Sequence, residues 1–259
     1  MVAFAMTTRV GAEELVERLE RLRHTGPTAM AFDADGTLWS GDVGEDVFEL
    51  ACEHGLLRET ARPELTRVAA AHGLRADGTP SEIARGIYAA YRRGQVDERL
   101  TCEVMTWSYA GFSPDEVRTL ARRAFDERGL RARVRDELNP VRDWARREGI
   151  RVIVVSASPE VVVREALSVA GIDVFGLSGA VPEIFGDVIA PKMARPVPFG
   201  ADKKTAGLSL LAGYDWLASF GDNSFDVDLL RAARVGVAVF PKPALLARLG
   251  EIDGVFVLS

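Results

Sequence analysis

Residues 28–37, TAMAFDADGT, decide the fold. Thr28 to Phe32 is a short apolar run with no polar alternation, too brief for a helix, and it predicts a strand buried on both faces of a sheet. It stops at Asp33-Ala34-Asp35-Gly36-Thr37. In an open α/β sheet ligands bind beyond the carboxyl ends of the strands. Both carboxylates would therefore emerge at the mouth of a site, with Ala34 turned away between them. Taken alone, such a pair reads equally as a solvated turn whose glycine supplies a positive φ.

The pattern recurs twice. Arg151 to Val155 (RVIVV) runs into Ser156-Ala157-Ser158-Pro159, and Trp216 to Phe220 (WLASF) runs into Gly221-Asp222-Asn223-Ser224-Phe225-Asp226. Ser156 would bring a hydroxyl and backbone N–H groups to a helix start, an anion site, or simply cap that helix. Asp222 and Asp226 add two carboxylates four residues apart. Hard oxygen ligands of this kind suit Mg²⁺, which binds few carboxylates and keeps waters or phosphate oxygens. The plain alternative is a helix capped by Asp222.

Working outward, residues 11–23 place Leu15, Leu19 and Leu22 on one helical face. Thr79-Pro80-Ser81-Glu82 and Ser113-Pro114-Asp115-Glu116 each spell a hydroxyl cap, a proline at the first helical position and a glutamate at the third. The second of these helices should stop near Gly129. No convincing β run lies between residues 41 and 130, whereas strands and helices alternate after it. The expectation is an α/β fold: a Rossmann-like, doubly wound parallel sheet built from residues 1–40 and 131–259, interrupted by an all-helical cap at 41–130.

Composition narrows the function. Of 259 residues 47% are hydrophobic and 27% charged, which predicts a packed core and excludes a disordered chain. The net charge of −6 argues against a sequence-independent grip on nucleic acid or an anionic membrane. Two cysteines, Cys52 and Cys102, make no disulfide framework or metal motif. Met1 to Val10 lacks a leader pattern, and no apolar run has the length of a membrane span, so a cytoplasmic protein is expected. His24, His54 and His72 share no spacing that suggests a metal or a triad. Only Lys192, Lys203, Lys204 and Lys242 are lysines among 32 basic residues, and two of the four are adjacent.

Taken together, FDADGTLW, VIVVSAS, a lysine at a helix start and GDNSFD, in that order, resemble the motifs of the haloacid dehalogenase-like superfamily of phosphatases. The long gap between Asp33 and Ser156 is similar to the helical cap of its phosphoserine phosphatase-like branch. The resemblance implies that Asp33 is a nucleophile forming an aspartyl-phosphate and that Asp35 is the general acid and base. It places Mg²⁺ between Asp33, the backbone carbonyl of Asp35, and Asp222, with Asp226 orienting that site. Ser156 and one lysine would hold the phosphoryl oxygens. Related phosphatases tend to show leucines four and seven residues after that lysine; Lys204 meets Leu208 and Leu211 in this register, while Lys203 meets Gly207. Lys204 is therefore the expected residue, Lys203 the alternative, and Lys192 a distant third.

In this superfamily the cap supplies specificity. Trp39, Asp42, Glu45 and Asp46 lead into it, and Tyr88, Tyr91, Trp107 and Tyr109 lie within it, where filling the cap's own core is their simplest role. Asp42 stands where phosphoserine phosphatase-like proteins place an acidic residue facing the substrate's amino group. Its competing role is to cap the helix beginning at Val43. The expected partner is a small phosphorylated metabolite, with phosphoserine or another amino- or ammonium-bearing alcohol phosphate as the finer expectation. Arg92 and Arg93 should be solvated, although a substrate carboxylate would need an arginine nearby. Displacement of halide from carbon would need neither Asp35 nor the full acidic fourth motif. A phosphomutase, or a non-catalytic binding protein of the same fold, remains the alternative.

Overall fold

The computed structural model describes residues 8–258; the leader reading of Met1 to Thr7, and the ends of the expected core at residues 1–7 and 259, lie outside them. In chain order the elements are β1 (Thr8–Val10), α1 (Ala12–Leu22), β2 (Thr28–Phe32), α2 (Val43–Glu53), α3 (Arg62–Ala71), α4 (Pro80–Arg92), α5 (Glu98–Trp107), α6 (Pro114–Arg128) and α7 (Asn139–Arg147). They continue as β3 (Arg151–Pro159), α8 (Glu160–Ala170), β4 (Gly176–Ala180), β5 (Pro182–Phe185), β6 (Val188–Met193), α9 (Ala201–Leu210), β7 (Asp215–Gly221), α10 (Val227–Ala232), β8 (Val235–Val239), α11 (Pro243–Leu246) and β9 (Phe256–Leu258).

Seven parallel strands form one sheet in the order β1-β9-β8-β7-β2-β3-β4. β2 lies inside the sheet between β7 and β3, and all five of its residues are buried. Met30 and Phe32 pack into the cluster on one face, Ala29 and Ala31 into that on the other, as an apolar strand without alternation must. The chain leaves β2, winds to β3 and β4 on one side and then returns to β7 on the other. The strand order thus reverses at β2, which creates a crevice beyond its carboxyl end. Phe32 and Phe220, paired across β2 and β7, stack in the core with ring centroids 4.0 Å apart.

The helical insertion α2–α7 occupies the connection between β2 and β3. Both expected capping boxes are present, at Thr79/Glu82 and Ser113/Glu116. Gly129 ends α6 in the left-handed region at φ 66°, where glycine carries no Cβ penalty. The last inserted helix, α7, packs on α1 instead, with Trp144 Nε1 donating to Glu20 Oε2 at 2.6 Å. Trp107 and Tyr109 are buried, as is Tyr88. Leu22 is 41% exposed, so the inward face of α1 ends at Leu19.

Two elements have no counterpart in the sequence reading. β1 adds a parallel edge to β9, and β5 and β6 form an antiparallel hairpin. That hairpin ties the insertion to the sheet: Gly111 N donates to Ile189 O and Ile189 N to Phe112 O, both at 2.9 Å. Arg122 on α6 pairs with the buried Glu165 on α8 at 2.5 Å. No helix among the described residues is long and apolar enough to cross a membrane.

Candidate active site

The crevice beyond β2 collects the carboxylates that the sequence singles out. Asp33 follows β2 directly and is buried, its backbone N–H donating to Phe220 O at 2.8 Å. Asp222 follows β7, and Asp226 closes the turn after it by accepting from the N–H groups of Asp222 (3.1 Å) and Asn223 (3.0 Å). Asp226 and Asn223 therefore hold this turn, not Asp222 as a helix cap. Asp33, Asp222 and Asp226 each present an oxygen within 4.8 Å of the others, and all three are buried.

Glycine is required at the closest approach. Gly36 has φ +83°, and a Cβ built on it would stand 2.0 Å from Asp222 Oδ2. The loop can reach the acid of β7 only without a side chain. Arg135 Nε donates to Gly36 O at 3.0 Å and its guanidinium lies over the Phe240 ring, which fixes the loop from outside.

Lys203 enters the centre of this cluster. Its Nζ lies 2.5 Å from Asp33 Oδ1 and 2.5 Å from Asp226 Oδ1, with the side chain wholly buried. Lys204, the expected residue, is exposed. The register of leucines misleads because the inward face of α9 carries Lys203 and Gly207, one helical turn apart. Gly207 makes room for Trp216, whose ring a Cβ there would meet at 2.4 Å. Leu208, the partner that favours Lys204, is 53% exposed. Lys192 stays on β6, paired with Glu183 at 2.6 Å.

Charge explains the local protonation. Burial, and then Asp226 and Asp222, push the Asp33 carboxyl up, and Lys203 opposes them. The two carboxylates outweigh burial on Lys203 and hold it charged. Lys242, which the sequence reading left aside, is a second cation: its Nζ stands 2.9 Å from Asp222 Oδ2. Asp222 Oδ1 is buried and meets no hydrogen-bond donor among the described residues. Three carboxylates against two ammonium groups leave one negative charge in excess and one orphaned oxygen, and this all-oxygen set can hold a metal cation.

Asp35 belongs to a different set of contacts. Its Oδ1 accepts from Trp39 Nε1 (2.9 Å) and the Val43 N–H (2.8 Å), and its Oδ2 from the hydroxyls of Ser158 (2.7 Å) and Ser156 (3.4 Å). Its side chain is thus outside the three-carboxylate group. Ser156 is not at a helix start, because β3 continues to Pro159 and α8 begins at Glu160. Its hydroxyl oxygen accepts instead from the Ser158 N–H at 3.0 Å. Ser158 is the site residue that sequence reasoning passed over; the repeated serine of S-A-S, two apart on a strand and so on one face, was the available signal.

Over the crevice stands the insertion. Asp42 caps α2, its Oδ1 accepting from Glu45 N at 2.8 Å. Burial, followed by the charges of Asp35 and Glu45, raises its carboxyl well above the usual range. Glu45 and Glu98 are also raised, first by burial. Asp46 is engaged by Arg133, and the largely exposed Arg92 lies 3.8 Å from Glu45.

A parallel α/β sheet with an acidic crevice at its switch point and a helical insertion between β2 and β3 is the architecture of a hydrolase of the haloacid dehalogenase type. Residues 30–231 match the family model described as haloacid dehalogenase-like hydrolase, and the chain belongs to that family. No curated protein matches the sequence. Among solved structures, the chain is similar to a protein of unknown function from Bordetella pertussis Tohama I, with 21% identity, 91% of this chain and 99% of that one covered, and a TM-score of 0.68. A substrate-bound phosphoserine phosphatase shares 12% identity over 90% of this chain and 94% of its own, with a TM-score of 0.53. Cytosolic 5'-nucleotidase IIIB bound to cytidine shares 17% over 93% and 84%, with a TM-score of 0.57. At these identities the likeness is one of fold.

Proposed function

We propose that the protein is a Mg²⁺-dependent phosphomonoester hydrolase acting on a small phosphorylated metabolite through an aspartyl-phosphate on Asp33. The observation that carries this reading is the cluster of three buried carboxylates around the ammonium of Lys203, with Asp35 two residues from Asp33. Asp33, Asp222 and Asp226, with the backbone carbonyl of Asp35, would hold Mg²⁺, whose charge offsets that of the phosphoryl oxygens.

Asp33 attacks phosphorus while the bond to the leaving oxygen breaks, and Asp35 delivers its proton to that oxygen. Asp35 then takes a proton from water as the water oxygen attacks phosphorus. The bond to Asp33 breaks and inorganic phosphate leaves. Trp39 and the Val43 N–H aim the Asp35 carboxyl throughout. Lys203 and Ser156 hold the phosphoryl oxygens, where fixed positive charge and donors lower the barrier to an anion attacking an anion.

Residues 41–130 serve as the cap, and Asp42, Glu45 and Glu98 give its underside an acidic character. That favours an amino- or ammonium-bearing leaving group, such as that of phosphoserine or another amino-alcohol phosphate, and Tyr91 beside them suits a cation as well. The test is phosphate release from p-nitrophenyl phosphate after EDTA treatment, with and without added Mg²⁺, followed by a panel of phosphorylated metabolites. Release that Mg²⁺ restores and Asp33→Asn abolishes supports the reading. Release indifferent to both overturns it.

A further inference from the structure

Away from the catalytic crevice, α7 and the segment that follows α8 leave a cavity of about 400 Å³ against the sheet. It opens near Arg151, at the start of β3, about 16 Å along the strand from Ser156 at a rise of about 3.3 Å per residue. Its floor is apolar, made by Val152, Ile172 and Val174, with the wholly buried Phe32 and Val154 behind them. Its size falls in the range of about 300–1,000 Å³ that accommodates small ligands.

The rim carries charge that the protein leaves partly unanswered. Arg142, Arg146 and Arg151 line the cavity together with Asp143 and Asp173. Asp143 is taken by Arg146 at 2.9 Å, and Arg151 lies over the Phe175 ring, 4.7 Å from its centre. Arg142 is partly buried, and among the described residues the one side chain it hydrogen-bonds is the neutral amide of Asn139. Its Nε is buried and meets no acceptor among the described residues. A guanidinium remains charged inside a protein, and although Asp143 and Asp136 act on Arg142, its burial outweighs them, so an anion meeting the unpaired Nε is favourable.

We propose that this cavity binds a carboxylate carried on an apolar body, with the carboxylate on Arg142 and the body on the floor of Val152, Ile172 and Val174. Of the charged groups that line the cavity, three guanidinium groups face two carboxylates, an excess of one positive charge that a monoanion balances and a phosphate dianion overshoots. A carboxylate also matches the planar fork of arginine. This inference does not depend on the phosphatase reading, since no residue of the crevice takes part in it.

Octanoate is the probe, titrated calorimetrically into the full chain, with 1-octanol, acetate and inorganic phosphate as comparisons. Octanoate should bind at a single site, octanol and acetate at least about tenfold more weakly, because each lacks one half of the recognition. Phosphate should not compete with it. Arg142→Gln should weaken octanoate by about tenfold or more, and Val174→Phe, which fills the apolar end, should weaken it too. Turnover of p-nitrophenyl phosphate, or an unchanged thermal transition if no turnover exists, reports that both variants fold. Octanoate binding no tighter than acetate, equal affinity in Arg142→Gln, or displacement by phosphate overturns the proposal.

Discussion

Lys203 Nζ lies 2.5 Å from Asp33 Oδ1, although 170 residues separate them in the chain. The contact is wholly buried and shared with Asp226, so one ammonium answers two acids. Removing it leaves charge without a partner in the interior. Lys203→Ala should lower turnover about a hundredfold or more, as loss of an electrostatic contact to the reacting group does. It should also destabilise the fold by about 3–5 kcal/mol. Lys204→Ala should leave both within twofold. Steady-state kinetics and denaturant unfolding of the two variants check this, and equal effects would contradict the placement.

The contacts of Asp35 separate its role from that of Asp33. Asp35→Asn keeps an oxygen for Trp39 and the Val43 N–H but can no longer give up a proton. Turnover of alkyl phosphates should fall by about 10²–10⁴, and that of activated aryl phosphates far less, since their leaving groups need no protonation. Asp33→Asn should abolish both. An equal loss on the two substrate classes with Asp35→Asn would remove the acid role.

Gly36 offers a purely steric test. A Cβ there meets the Asp222 carboxylate at 2.0 Å in a backbone conformation with φ +83°. Gly36→Ala should push the first loop and the acid of β7 apart, lower the melting temperature, and raise the Mg²⁺ concentration needed for half-maximal activity. Thermal unfolding and a Mg²⁺ titration read the two effects; a wild-type Mg²⁺ requirement would show that the loop relaxes without moving the site.

Asp42 couples stability to substrate charge. Its carboxyl is raised, first by burial and then by Asp35 and Glu45, so the folded state disfavours its ionised form. The stability this group contributes is present in acid and lost as pH rises through its raised value. Asp42→Asn retains the cap on α2, because asparagine caps as well as aspartate, and removes the charge. The variant should therefore melt at a higher temperature than the parent at neutral pH, with the difference vanishing in acid. If the amine reading holds, it should also lose preference for a cationic over a neutral phosphate ester. A pH series of melting curves checks the first effect, and the ratio of kcat/KM values for the two esters checks the second.

Much of this arrangement is legible because strands buried on both faces announce themselves as unbroken apolar runs; TAMAF and WLASF end close to their polar turns, whereas the strand of RVIVV runs on through its serines to Pro159. The insertion was legible through Thr79 and Ser113, whose caps are local chemistry. What failed was register on α9. A helix shows its inner face in sequence through apolar residues, yet here that face is a lysine and a glycine, a buried cation and the space beside Trp216. Leu208 pointed outward and mimicked the pattern. The three-residue edge β1 and the β5–β6 hairpin, with Phe185 69% exposed, carry too few buried side chains to leave a periodic trace.

The place of β2 beside β7 has a consequence for how the protein is made. Asp33 leaves the ribosome well before Lys203, the strand β7 and Asp226, which follow only after the whole insertion and β3 to β6. Helices α2 to α6 can gather through nearby contacts while the sheet still lacks its middle, since pairings between distant segments are the slow ones. Asp33 thus spends part of synthesis as an ordinary solvated aspartate. It becomes a buried, paired group only when α9 and β7 dock beside it, so a partly folded chain lacks the three-carboxylate cluster, and completing the sheet and assembling that cluster are one event.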